Sequence, residues 1–252
     1  MIRADTGLVQ DEESIMGGVS WRTRSTMGPL RGVVDVADES GRRNRYIHTL
    51  HTKALVAELN RLPHQIHRAL DFGCGTGRFL KVLSSRSLTL YALDREPSMV
   101  DAARFHAGAF VKQLLVWNSD RVPFDDGFFD FILSFSVLSV TPSPLFDVSL
   151  KEMVRVLGAG GTLLLFEKVS TARSLTLERY HDVLGAYGFE IVRERPVRSP
   201  SSPLTALITK TGWIPRQAFS LLAATELAFM KGRTYHDPDP YVEYAIVARK
   251  RT

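Results

Sequence analysis

Cysteine is all but missing from this chain: Cys74 is the single one among 252 residues. No intrachain disulfide can form, and a reducing, cytoplasmic setting is the expectation. Long apolar runs are also missing. The longest candidate, Ala218 to Met230, falls short of the roughly 20 residues a bilayer-spanning helix needs and contains Glu226. The first residues lack the basic-then-apolar pattern of a secretion signal, and no internal repeat is visible. The chain carries a formal charge of +5 and a pI near 9.4. Yet it has no long basic run with interleaved aromatics. Its tightest groups, Arg42-Arg43-Arg45 and Arg193-Arg195-Arg198, are short, so the excess reads as a solvated basic surface, then as a match for an anionic substrate. A nucleic-acid partner is not expected. His48 and His51 share a helix face at i, i+3, but no carboxylate pair accompanies them and no metal is expected.

One large core is within reach of a chain that is 44% hydrophobic. The most informative stretch is Asp71-Phe72-Gly73-Cys74-Gly75-Thr76-Gly77. Ile66 to Leu70 before it reads as the end of a strand, and Arg78 to Leu83 after it as an amphipathic helix. A strand turning through three glycines into a helix brings bare backbone close to a ligand. A second strand-like run, Leu88 to Leu93, ends on Asp94, placed to accept both hydroxyls of a ribose. A nucleoside-containing cofactor is therefore expected. The glycines at 73, 75 and 77 are spaced more tightly than in a dinucleotide loop. Asp71 would repel a pyrophosphate but could hold a cationic amino-acid group through an ordered water.

This loop resembles motif I of the class I S-adenosylmethionine-dependent methyltransferases. The resemblance continues through Trp117-Asn118-Ser119-Asp120-Arg121-Val122-Pro123-Phe124 and Asp125 to Asp130, then a fourth strand over Phe131 to Leu138. It ends with a helix, glycine turn and fifth strand over Lys151 to Glu167. It covers about residues 66 to 170. Two departures stand out. Asn118 replaces the family's usual acidic residue at the adenine, and Leu157-Gly158-Ala159-Gly160-Gly161 lacks the usual proline. The resemblance implies an α/β, Rossmann-like three-layer sandwich with a mostly parallel seven-stranded sheet and an antiparallel last strand. It also implies S-adenosyl-L-methionine as cofactor. Asp71, Gly73, Cys74, Gly75 and Gly77 would form the loop under its methionine and ribose. Asp94 would hold the ribose, Arg95 and Met99 would flank the adenine, with Asn118 and Ser119 at its polar edge, and Ser134 would face the amino-acid moiety. Cys74 reads as a packing choice, not a nucleophile.

Around that core the expected organisation is an N-terminal arm over 1–43, either mobile or a partly ordered lid, and a methyltransferase domain over 44–252. The domain divides into a leading helix (44–63), a cofactor-binding core (64–192), an insertion capping the substrate site (193–240) and a last strand (241–252). The insertion is marked by Pro196, Pro200, Pro203 and Pro215 and holds an apolar helix over 217–230, suited to a core, a dimer partner or a membrane surface. Missing motifs set several branches aside. Ser134-Phe135-Ser136-Val137 lacks the Asn/Asp-Pro-Pro-aromatic motif of amino-directed nucleic-acid enzymes, the paired glutamates of arginine methyltransferases and the aspartate of magnesium-dependent catechol enzymes. Cys74 cannot serve as a cytosine-C5 nucleophile. The expectation is methyl transfer to oxygen or nitrogen of a small-molecule, sugar or lipid-like acceptor. An RNA methyltransferase and a non-catalytic interaction protein on the same fold are the alternatives. Candidate bases are His48, His51, His181 and His236, each more often an ordinary surface or core histidine than a base.

Overall fold

The computed structural model describes residues 18–62, 65–141, 143–170, 175–231 and 240–252; His236 lies outside them. Seven strands form one sheet: β1 (Ile66–Phe72), β2 (Ser87–Asp94), β3 (Gln113–Val116), β4 (Phe129–Phe135), β5 (Leu157–Val169), β6 (Phe189–Arg198) and β7 (Val242–Lys250), in the order β3-β2-β1-β4-β5-β7-β6. The pairs among β1 to β5 are parallel, whereas β7 lies antiparallel between β5 and β6. This is the expected Rossmann-like α/β sheet with its reversed last strand.

The central strands are apolar on both faces, as a parallel sheet covered by helices requires. Ala69, Phe131, Leu133, Leu164, Phe166, Ala245 and Val247 face one core layer. There they meet α2 (Arg42–Leu59), α3 (Leu80–Ser84), α7 (Pro203–Lys210) and α8 (Phe219–Met230). Leu70, Phe72, Ile132, Leu163, Leu165 and Ile246 point the other way, toward α5 (Ser143–Val156) and α6 (Leu177–Ala186). Two further helices, α1 (Trp21–Ser25) and α4 (Pro97–Ala107), pack against each other.

Element boundaries differ from the sequence expectation where edge position overrides local propensity. Pro196 suggested the start of an insertion, yet β6 continues to Arg198. As the last strand in the sheet order, β6 tolerates a missing N–H on its open side. The leading helix begins at Arg42, and the apolar helix of the insertion is a 3-10 turn over Arg216–Ala218 followed by α8. From Gly18 onward, the segment expected as an arm is folded against the core. Thr76 Oγ1 donates to Pro29 O at 2.8 Å, and Arg24 is buried.

The insertion is fastened to α2. Phe219, 2% exposed, meets Tyr46 edge-on at 5.7 Å, and Tyr46 Oη donates to Glu226 Oε2 at 2.5 Å. Arg42 adds hydrogen bonds to Ile208 O and Ile214 O. Phe219→Ala should lower unfolding free energy by about 3–5 kcal/mol. Urea denaturation would show this as a lower midpoint with the slope preserved; an unchanged midpoint would mean α8 is not part of the cooperative core.

Candidate functional site

The crossover from β1 to β2 passes through α3 on one face, and that from β4 to β5 through α5 on the other. The strand order therefore reverses between β1 and β4, and ligands bind open α/β sheets at the carboxyl ends beside such a point. The glycine loop leaves β1 there. Gly73, Gly75 and Gly77 have φ of +75°, +54° and +79°, conformations that L side chains disfavour. Space is refused as well: a Cβ at Gly73 would run into Val137 Cγ2, and one at Gly75 would lie 3.0 Å from Val33 Cγ1.

The loop is tied to the end of β2. Gly73 N and Cys74 N both donate to Leu93 O at 2.9 Å, and Gly75 N donates to Asp94 Oδ2 at 2.8 Å. Glu96 N donates to Asp94 Oδ1 at 3.0 Å. Each Asp94 oxygen keeps acceptor capacity for a hydroxyl, and burial raises its pKa. Cys74 is buried, which pushes its thiol well up and suits packing rather than nucleophilic work.

Two polar side chains flank the loop, each with a buried oxygen that has no hydrogen-bond partner. Asp71 is 2% exposed and its Oδ2 is buried without a hydrogen bond. Burial pushes its carboxyl up to about 7, opposed by Arg78 and reinforced by Asp94. On the neighbouring strand, in register with Phe72, Ser134 is fully buried with an unpartnered Oγ. A buried polar atom left unpaired costs about 1–3 kcal/mol, so two beside a sterically cleared loop mark a place for a polar ligand. A cationic ammonium group beside Asp71 fits that donor set, as does a ribose at Asp94.

The residues expected at the adenine are less uniformly placed. Arg95 stands over the Trp117 ring at 5.3 Å, Trp117 is buried against Phe72, and Met99 is enclosed at 1% exposure. Asn118 and Ser119 are exposed, and Ser119 Oγ donates to Arg121 O. Next to the site, Ser136 adopts φ +54°. The chain beyond it is held by Glu167, at the end of β5, which accepts from Val137 N, Leu138 N and Ser139 N. Burial pushes Glu167 up to about 7 despite those three bonds. The sequence shows Glu167 only as a charge closing an apolar run; its role as an anchor was not foreseen.

A second cluster lies on the α2 side of the same edge. His51 Nε2 meets Glu243 Oε2 at 2.7 Å, and Arg78 Nη1 meets His51 Nδ1 at 3.3 Å. Arg198 donates to Glu243 through Nε and Nη2, at 2.9 and 2.7 Å. Burial works against the Glu243 charge, but Arg198 and His51 hold the carboxyl well below its usual range. Burial, helped by Arg78 and Arg198 and opposed by Glu243, pushes His51 down to about 4. His51 is thus neutral, with Nε2–H donating to Glu243 and Nδ1 accepting from Arg78, so neither nitrogen is free to act as a base. His48 stacks on Phe79, has a buried and unpartnered Nδ1, and is also pushed down to about 4, chiefly by burial. His181 is on α6, paired with Glu194 of β6, and does not join the cluster. The arginines of the expected basic group are committed internally: Arg193 and Arg195 to the buried Glu58, Arg198 to Glu243.

With this geometry, comparison with known proteins is specific. Residues 70–165 match the family model described as a methyltransferase domain. The malonyl-[acyl-carrier protein] O-methyltransferase of Serratia marcescens is 35% identical over 101 residues, which cover 40% of this chain and 38% of that protein. A ubiquinone/menaquinone biosynthesis C-methyltransferase of Sinorhizobium fredii is 28% identical over 181 residues, 68% of this chain and 67% of that protein. The chain spans about half or less of the length of the first curated relatives, 38% and 53%. Among solved structures, a chain from the complex of the Haloferax volcanii Trm112 methyltransferase activator with a methyltransferase aligns with TM-score 0.61. That alignment has 19% identity and covers 97% of this chain and 100% of that one. A Leishmania major S-adenosylmethionine-dependent methyltransferase aligns at 0.62 with 17% identity, covering 90% of this chain and 79% of that one. Over residues 70–165 the chain thus resembles a methyltransferase domain, and its fold is that of the methyltransferase structures it aligns with.

The buried carboxyl has a pH signature. A folded-state pKa near 7, above the ordinary 3.8, means the native state binds the extra proton between those values, so this group's contribution to stability falls as pH rises through that window. His48 and His51, shifted downward, contribute the opposite slope, so the isolating quantity is a difference. Between pH 5 and 7.5, the stability of Asp71→Asn relative to wild type should rise by about 2–3 kcal/mol. Urea midpoints at the two pH values would check this; a constant difference would mean Asp71 titrates normally.

Proposed function

We propose that the chain transfers a methyl group from S-adenosyl-L-methionine to a nucleophilic oxygen or nitrogen of a small-molecule or lipid-like acceptor by in-line displacement. The observation that carries this reading is the pair of buried, unpartnered atoms, Asp71 Oδ2 and Ser134 Oγ, beside a loop cleared of side chains at the strand reversal. Asp71 and Ser134 would hold the amino-acid end, Gly73 to Gly77 would admit the ribose and methionine, and Asp94, already oriented by Gly75 N and Glu96 N, would accept the ribose hydroxyls. When bound, the cofactor supplies an activated methyl on a sulfonium. The protein's part is then to align the nucleophile and exclude water, which can contribute on the order of 7–11 kcal/mol. Residues 18–41 and α2 close the site on one side, with Val33 against Gly75.

The relatives' names include one acting on a malonyl-[acyl-carrier protein] and one on a quinone-biosynthesis compound, neither of them a nucleic acid. A mouse relative is named as a probable tRNA methyltransferase 9B, but it aligns over only 24% of its length. Among the described residues, Arg193, Arg195 and Arg198 are occupied by Glu58 and Glu243. They therefore do not add up to an RNA-binding face.

Calorimetric titration with S-adenosylmethionine should show micromolar binding that Asp94→Ala weakens at least about tenfold, the loss of hydrogen bonds to a charged acceptor, with NADH silent. Failure of folded wild-type protein to bind would contradict the proposal.

The insertion suggests where a lipid-like acceptor is met. No helix among the described residues is long and apolar enough to cross a membrane. Yet Trp213, Leu221 and Phe229 are 77%, 71% and 74% exposed, and Lys210, Arg216 and Lys231 are exposed nearby in sequence. Exposed aromatics with basic neighbours suit shallow contact with an anionic bilayer. The protein should sediment with phosphatidylglycerol vesicles more than with phosphatidylcholine ones, and Leu221→Ser/Phe229→Ser should abolish the difference. A variant that instead alters only the sedimentation-equilibrium mass would identify the face as a dimer contact.

A further inference from the structure

We propose that Arg78 and Arg198 form a carboxylate-binding site, and that the acceptor is a carboxylic acid methylated on a carboxylate oxygen; this rests on the methyl-transfer reading above.

Charge is the first observation. Arg78 directly follows the glycine loop. It is linked through His51 and Glu243 to Arg198, so the chain of contacts is Arg78–His51–Glu243–Arg198. Two guanidiniums face Glu243, which stays ionised, and Asp71, whose carboxyl burial pushes up to about 7, while His51 between them is neutral. Among the described residues Arg78 makes no ion pair; its one hydrogen-bond partner is the His51 ring nitrogen at 3.3 Å. A buried surplus of positive charge is costly unless an anion joins it.

Geometry is the second. Arg198 is 5% exposed, and although Nε and Nη2 are used by Glu243 and Tyr241, Nη1 is buried with no partner. Arg78 lies over Phe79 and Phe135, 4.3 and 4.4 Å from their centroids. The rings cover the face of the guanidinium and leave its in-plane N–H groups for a planar anion, the arrangement that matches a carboxylate. Lysine at this position would offer a point charge without that fork.

Chemistry is the third. Both His51 nitrogens are engaged, and His48, pushed down to about 4, is a weak base. An alcohol needs a base, whereas a carboxylate arrives already ionised. One carboxylate oxygen forms the new O–CH3 bond while the C–S bond breaks; the bonding pair goes to sulfur, the sulfonium becomes a neutral thioether, and no proton moves. The ester product has lost the charge that the arginines hold, which favours its release.

The test uses full-length protein, S-adenosylhomocysteine, and propionate as a minimal carboxylate, with propionamide as its neutral match. Calorimetry first establishes that S-adenosylhomocysteine binds; if it does not, the methyl-transfer reading fails before any acid is added. In the resulting complex, propionate should bind at least about tenfold more tightly than propionamide. Arg78→Gln should erase that preference and Arg78→Lys should retain part of it. Both should remain folded, and any loss of S-adenosylhomocysteine affinity should be matched by its decarboxylated analogue. Equal binding of acid and amide to wild type would overturn the proposal. So would an Arg78→Gln variant that loses affinity for S-adenosylhomocysteine but not for its decarboxylated analogue, because the anion would then be the cofactor's own carboxylate.

Discussion

A carboxyl sealed at 2% exposure with one oxygen unpaired is the constraint on which the rest of this site turns. Left alone, Asp71 would be better replaced by a residue that asks for no partner. Its neighbours explain how it persists. Asp94 locks the loop from one side, Glu167 locks the chain after β4 from the other, and Val137 closes over Gly73 where a methyl would not fit. The unpaired oxygen is thereby held at a fixed position rather than relaxing toward water. A polar site preorganised in this way meets charge at no reorganisation cost when a ligand arrives.

The second layer of the design is ionic and joins elements distant in sequence. Glu58 of α2 receives Arg193 and Arg195 of β6, and His51 of α2 meets Glu243 of β7, itself clasped by Arg198. Through these pairs the leading helix is bound to the reversed edge of the sheet, next to the insertion that Tyr46 and Phe219 hold in place. Arginines that look like surface charge in the sequence are thus internal fasteners, while Arg78, beside the glycine loop, makes no ion pair among the described residues. Structural support and the proposed carboxylate recognition draw on the same residues.

The fold was legible because its signals are local. Strand, glycine turn, helix and an acidic strand end lie within about thirty residues, from Ile66 to Asp94, and each has a backbone reason. The places of Asp71 and Asp94 at strand ends and of the glycines in the turn could be read for the same reason. What was hidden depends on contacts across more than a hundred residues. His51 meets Glu243 and Glu58 meets Arg195, and no periodicity announces either pair. Pro196 misled because its effect depends on whether its strand is at an edge, which only the sheet order reveals. The paired arginines were read by their spacing in the chain, which says nothing about which carboxylate each one finds.

The central claim is that the Asp71 carboxyl is kept for a cation on the cofactor. Its ionisation can be followed directly by carbon-13 NMR of labelled aspartate, with Asp71→Asn to assign the signal. The account predicts titration near 7 in the free protein and a fall of at least about 2 units with S-adenosylhomocysteine bound, the size of shift a nearby opposite charge produces. A carboxyl that titrates at the same pH with and without the ligand would contradict it.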